Sequence, residues 1–205
     1  MISTHPPADL AADSAALVIE QAHRAIARLR SQTARLACWG NVIHTALADG
    51  GLLMAAGNGG SATHADHLVG ELLGRFRRER EPLRALSLVA DHGTLSAVAN
   101  DYGFEEVFAR QVRGLGHAGD VLVVFSTSGR SPNVIRAATD ARRLGVRVLA
   151  FTGPAPNPLT QIASDALAVD APDTASVQDA HHVALHALCA VVDDLAPTTR
   201  QEVAP

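Results

Sequence analysis

Apolar residues recur at helical spacing in the first part of the chain. Leu17, Ile19, Ala22, Ile26 and Leu29 fall near one face of a 3.6-residue period, which predicts two helices, Leu10–Leu29 and Gln32–Ala48. Asp49-Gly50-Gly51 stops the second. Beyond it the period changes. Short apolar runs at Leu52–Ala56, Ala85–Val89, Val121–Phe125, Val146–Phe151 and Ala166–Val169 read as strands. Between them lie helical stretches near Ser61–Leu73, Gly93–Asn100, Glu105–Leu115, Pro132–Leu144 and Leu159–Ala163, and a last helix runs from about Ser176 to Leu195. Strand–helix alternation with uniformly apolar strands implies a parallel sheet buried by helices on both faces. The expectation is a doubly wound, five-stranded α/β sheet preceded by a helical hairpin. One domain would cover residues 1–205, with helices over 10–49, the α/β core over 50–195, and tails at Met1–Ala8 and Pro197–Pro205 that fray.

Composition narrows the chemistry. Hydrophobic residues make up 47% of the 205 positions and charged ones only 19%, so the chain has ample material for a buried aliphatic core. No apolar run is long enough to span a bilayer, and the N-terminus lacks the order of a signal peptide, so the expectation is a cytoplasmic protein with no membrane partner. Cys38 and Cys189 form no spacing motif and are expected to be free thiols. A formal charge of -4, with no basic block beyond Arg75–Arg84, argues against nucleic acid. All 17 basic residues are arginine. The absence of lysine excludes a Schiff-base or P-loop lysine. Any phosphate must therefore be held by backbone N–H groups, hydroxyls or arginine.

Two strand-to-helix junctions carry suitable groups. Gly57-Asn58-Gly59-Gly60-Ser61 follows the first strand; its glycines permit close backbone approach, and Ser61 is placed to cap the next helix. Ser126-Thr127-Ser128-Gly129-Arg130-Ser131 follows the third strand, with Pro132 where a first helical residue belongs. Either loop alone reads as a tight capped turn. Two of them in one lysine-free sheet favour an anion site of hydroxyls and helix N-terminal N–H groups.

A third cluster is capable of acid/base work or metal binding. His67 and Glu71 share a helix face at i, i+4, as do His182 and His186 on the last helix. Spacing alone nominates His182 and His186 as a ligand pair. An exposed polar face is the plainer reading of either pair taken singly. The chain has ten histidines, and His5, His23, His44 and His117 support no site.

In order along the chain, Gly57-Asn-Gly-Gly-Ser61, His67-x-x-x-Glu71, Asn100-Asp101-Tyr-Gly, Ser126-Thr-Ser-Gly-x-Ser131 and Gln178…His186 resemble the sugar isomerase (SIS) domain family in its phosphoheptose isomerase branch. The resemblance covers about residues 10–195 and implies a flavodoxin-like sheet. It further implies an aldose–ketose isomerase acting on sedoheptulose 7-phosphate through an enediol(ate), in a homotetramer with active sites near subunit interfaces. Ser126, Thr127, Ser128 and Ser131 would hold the phosphate. Asn58, Gly59, Gly60, Ser61, Asn100, Asp101 and Gln178 would line the sugar site. A zinc ion would sit on His67, Glu71, Gln178 and His186. Glu71 would be the base at carbon and His186 its acid/base partner.

Gln178 and His186 are eight residues apart, about 12 Å along a helix, so they share an ion only by leaning inward. Glu71 as ligand and base is also in tension, because a bound carboxylate loses basicity. His64 stands where the family commonly has an acidic residue, and so does Ala175 relative to some members; both bear on substrate choice. Arg75 matches a family arginine, with a surface ion pair as its alternative role. The main rival is a non-catalytic adaptor of the replication-initiator-associating type, which resembles residues 111–121. The presence of His67, Glu71 and His186 together favours an enzyme. The other rivals are an isomerase of a different phosphosugar and a phosphosugar-sensing regulator.

Overall fold

The computed structural model describes residues 8–197, with side chains from residue 11 onward. The tails expected to fray lie outside the described residues, apart from Ala8 and Pro197. In chain order the elements are α1 (Ala8–Arg28), α2 (Thr33–Ala48), β1 (Leu53–Gly57), α3 (Gly60–Leu73), β2 (Ala85–Ser87), α4 (His92–Tyr102), α5 (Ala109–Leu115), β3 (Val121–Ser126), α6 (Pro132–Arg143), β4 (Arg147–Thr152), α7 (Pro158–Ile162), β5 (Asp165–Ala168) and α8 (Thr174–Leu195). A 3₁₀ turn at Leu29–Gln32 joins the first two helices.

The five strands are all parallel, in the order β2-β1-β3-β4-β5. The doubly wound sheet expected from the sequence is thus present. Because strand side chains alternate between faces, each strand feeds two cores. Leu53 and Ala55, Val121, Val123 and Phe125, and Leu149 and Phe151 point toward α1, α2, α3 and α8. Met54 and Ala56, Leu122 and Val124, and Val148 and Ala150 point toward α5, α6 and α7. The uniformly apolar strand runs are explained by burial on both sides.

The two N-terminal helices are present, and each packs along α8. The helix expected over Glu105–Leu115 is instead a 3₁₀ turn at Phe104–Glu106 followed by α5. The second strand is shorter than its apolar run, as suits the sheet edge. α8 starts two residues earlier than expected, because Asp173 caps it by accepting from Ser176 N at 2.9 Å.

One ion pair ties the far end of α3 to α8. Arg80 and Asp193 are both buried; Arg80 Nε donates to Asp193 Oδ1 at 3.0 Å. Arg80 also donates to the carbonyls of Glu71 (2.6 Å) and Leu72 (2.9 Å), which lie in the last turn of α3. Asp193 Oδ2 accepts from the backbone N–H of Arg77 and Arg78.

Candidate active site

β1 and β3 are neighbours, but the helices that follow them lie on opposite faces of the sheet: α3 on one, α6 on the other. The crevice between their carboxyl ends is the switch point where α/β sheets bind ligands. Both glycine- and hydroxyl-rich loops open there. A reciprocal pair of hydrogen bonds spans it, Asn58 Nδ2 to Asn133 Oδ1 at 2.8 Å and Asn133 Nδ2 to Asn58 Oδ1 at 2.9 Å. Asn58 therefore acts first as a strut between the loops.

In the first loop, α3 begins at Gly60, with Gly59 at φ +55° as the preceding residue and no side-chain cap. This corrects the expectation that Ser61 caps the helix: Ser61 lies inside the first turn and is buried. A side chain at Gly60 would meet Gln178, whose amide lies 2.6–2.8 Å from where a Cβ would stand. Gln178, one turn into α8, thus rests on this loop.

In the second loop, Ser131 occupies the N-cap position of α6, ahead of Pro132. Its hydroxyl pairs with Ser126 Oγ at 3.1 Å and makes no cap bond to the helix. Ser128 Oγ accepts from Arg130 N at 3.1 Å and is exposed, as is Arg130. Thr127 is half-buried. These groups surround the start of α6, whose dipole favours an anion. The loop is held from behind by Asn157, which caps α7 and donates to Thr152 Oγ1. Gly129 has φ +60°, and a Cβ there would collide with the Asn157 side chain. We expect Gly129→Ala to cost about 1–3 kcal/mol. Thermal unfolding should show this, together with weaker inhibition by inorganic phosphate.

The residues expected to carry acid/base work converge along the α3–α8 contact. His67 Nε2 lies 3.0 Å from Glu71 Oε1 and 3.2 Å from His186 Nε2. His182 joins them, with ring centroids 4.9 Å from His67 and 4.5 Å from His186. Ring nitrogens of His67, His182 and His186 all lie within 4.8 Å of one another. Phe76 stacks on His186 and covers its outer side. Burial, then His182 and His67, push the His186 pKa below its ordinary value, against the pull of Glu71. The shift favours the neutral imidazole, the form a metal ligand or proton relay uses.

Behind the cluster, His181 is fully buried and its Nε2 donates to Thr152 O at 3.2 Å. Burial lowers its pKa to about 4. His64, packed between Phe125 and His182, is lowered to about 4 by burial and by His182 and His67. Among the described residues, the buried side-chain nitrogens without a hydrogen-bond partner are Nδ1 of these two rings.

Asn100 and Asp101 are exposed near the end of α4, where Asn100 Nδ2 donates to Asp101 Oδ1 at 2.8 Å. Within one chain their hydrogen bond is to each other, not to either loop. Arg75 makes an exposed ion pair with Glu79 at 3.7 Å, the surface role that was its alternative. Ala175 is exposed in the first turn of α8. Asn133 and Asn157 were not singled out from sequence; His64 was read only as a departure from the family, and its pairing with buried His181 was not foreseen. Asn157 had a readable signal, since Asn before Pro is a helix-start pattern.

Residues 18–153 match the family profile described as the SIS domain, and the chain belongs to that family. The phosphoheptose isomerase of Streptomyces coelicolor is 54% identical over 155 residues, 76% of this chain and 67% of the relative. The structure of a phosphoheptose isomerase from Neisseria gonorrhoeae superposes with a TM-score of 0.79 at 38% identity, covering 91% of this chain and 98% of that one. A phosphoheptose isomerase from Francisella tularensis gives a TM-score of 0.82 at 33% identity, over 90% and 98% of the two chains. No described helix is long and apolar enough to cross a membrane.

Proposed function

We propose that this protein is a phosphoheptose isomerase, interconverting sedoheptulose 7-phosphate and D-glycero-D-manno-heptose 7-phosphate. The observation that carries the reading is the meeting of Glu71, His67 and His186 on α3 and α8, with a lysine-free hydroxyl loop at the end of β3, the strand beside the one that leads into α3. Moving a proton between adjacent carbons needs a base at carbon, an acid at oxygen and stabilisation of the enediolate. Glu71 takes the proton. His186 shuttles the proton at the neighbouring oxygen. Ser126, Thr127, Ser128 and Ser131 grip the phosphate with the α6 N-terminus. Gly59, Gly60, Ser61, Gln178, Asn58 and the outlying Asn100 and Asp101 frame the sugar.

The donor set suits zinc. His67 Nε2 and His186 Nε2 are 3.2 Å apart, and two nitrogens bound at about 2.0 Å to a tetrahedral ion stand about 3.3 Å apart. When bound, the ion would polarise the substrate carbonyl.

We further read the protein as a cytoplasmic homotetramer. Leu17, Val18 and Ile19 are all exposed on α1, apolar side chains that neighbouring subunits would cover.

Incubation with sedoheptulose 7-phosphate, followed by NMR, should show the aldose phosphate growing in until both forms coexist. An unchanged ketose with folded, zinc-supplied protein would leave the adaptor reading in its place.

A further inference from the structure

Gly60, His64, His67 and Glu71 fall at i, i+4, i+7 and i+11 and so share one face of α3. That face meets α8 along its length: Gly60 lies under the Gln178 amide, and His67 Nε2 reaches His186. His64 stands between those two contacts, about one turn from each. Its ring centroid is 5.5 Å from that of His182 and 5.7 Å from that of Phe125. Phe125 directly precedes Ser126, so His64 is also beside the root of the hydroxyl loop. The two nitrogens of the ring have different surroundings. Nδ1 is buried without a partner, whereas Nε2 makes no hydrogen bond but is open to solvent. Orphaned buried N–H groups are rarer than orphaned acceptors, which places the ring proton on Nε2. Burial, then His182 and His67, lower the pKa to about 4, so the ring carries that one proton at pH 7.

We propose that His64 is a specificity-determining contact, donating from Nε2–H to a hydroxyl in the middle of the sugar chain. The proposal rests on reading the protein as a phosphoheptose isomerase. A sugar with its phosphate on the hydroxyl loop and its reacting carbons at Glu71 lies along this stripe of α3, and His64 is the donor it meets midway. The hydrogen bond touches no reacting atom. It selects a sugar long enough to carry a hydroxyl at that place and leaves the proton transfer to other groups. A carboxylate, common at this position in the family, accepts from a hydroxyl; an imidazole N–H donates to one. A hydroxyl does both, so His64 reverses the hydrogen bond while holding the same class of sugar.

Turnover is compared for the wild type, His64→Leu and His64→Gln on sedoheptulose 7-phosphate and on its analogues lacking the 4- or the 5-hydroxyl. His64→Leu should lower kcat/KM on the full sugar by about 10- to 100-fold, the range for stranding a hydrogen-bonding partner. His64→Gln, whose amide N–H donates from a similar place, should recover most of it. On the analogue lacking the contacted hydroxyl, wild type and His64→Leu should agree to about twofold. Equal losses of His64→Leu on all three sugars would mark a merely structural residue and overturn the proposal. Failure of the isomerase reading shows separately, as no turnover by the wild type on any sugar, and takes the proposal with it. Nitrogen-15 NMR of the wild type needs no variant and decides the case even where His64→Leu does not fold. The His64 Nε2–H signal should shift when the sugar phosphate is added and stay in place with inorganic phosphate alone. A proton on Nδ1, or no response to the sugar, would refute the donor.

Discussion

Glu71→Gln should lower turnover by about 10³-fold or more, toward the upper end of what a positioned general base contributes. The substitution keeps the size of the side chain and a carbonyl oxygen for His67, but removes the negative charge that accepts the proton. Glu71 is half-buried on α3 with its carboxylate 3.0 Å from His67 Nε2, so the amide fits the same space. Competitive inhibition by inorganic phosphate should be unchanged, because the hydroxyl loop at the β3–α6 junction is a separate structure. Solvent deuterium incorporation into the sugar should fall in step with turnover, since both require proton removal at carbon. Turnover within tenfold of wild type would move the base to another residue. Unchanged exchange with lost turnover would show that the carbon proton leaves without Glu71, taking the base role from it and placing its contribution at the oxygen-side proton transfer.

The centre of the sheet was legible because its inner strands obey one rule. Leu53–Gly57, Val121–Ser126 and the inner part of β4 are buried on both faces, so each reads as an unbroken apolar run between turn residues. The glycine and serine loops were legible for a related reason: both follow such runs directly, and position after a strand is a local property. Contacts between distant segments were not legible. Asn58 and Asn133 are 75 residues apart, and nothing in the neighbourhood of either names the other. The same holds for His182. Sequence spacing placed it level with Gln178 and His186 on one helix face, but which of the three meets α3 depends on how the two helices lie together. Small residues at the contact, such as Gly60 under Gln178, settle that. Packing also took His181 out of the pool of free histidines, since it is buried behind the cluster. The helix expected over Glu105–Leu115 broke for a tertiary reason too. Glu106 is drawn into ion pairs with Arg113 and Arg136, and Val107 and Phe108 are pulled into the core.

Arg80→Ala should destabilise the protein by about 3–5 kcal/mol, the range for breaking a buried ion pair from one side. For a chain of this length that is a fall in melting temperature of roughly 10 °C. The side chains of Arg80 and Asp193 are each 3% exposed. Removing the guanidinium strands the Asp193 carboxylate in the interior, with only the N–H groups of Arg77 and Arg78 left to it. It also leaves the carbonyls of Glu71 and Leu72, at the end of α3, without their donor. Replacing both partners with apolar residues, Arg80→Met with Asp193→Leu, should recover much of the loss, because no buried charge remains. Burial works to raise the Asp193 pKa, but the hydrogen bonds from Arg77, Arg78 and Arg80 outweigh it and hold the carboxyl below its ordinary value. A carboxylate depressed in the folded state stabilises above its unfolded pKa, and the contribution is lost as pH falls through the folded value. The gap between wild type and Arg80→Ala should therefore narrow in acid, which urea unfolding at pH 7 and in more acidic buffers would show. Catalysis should suffer as well, since Arg80 fixes the last turn of α3 against α8 and so holds Glu71 and His67 level with His186. Arg80→Lys separates the two effects. It keeps the charge near Asp193 but cannot span both helix carbonyls and the carboxylate at once, so stability should partly return while turnover stays low.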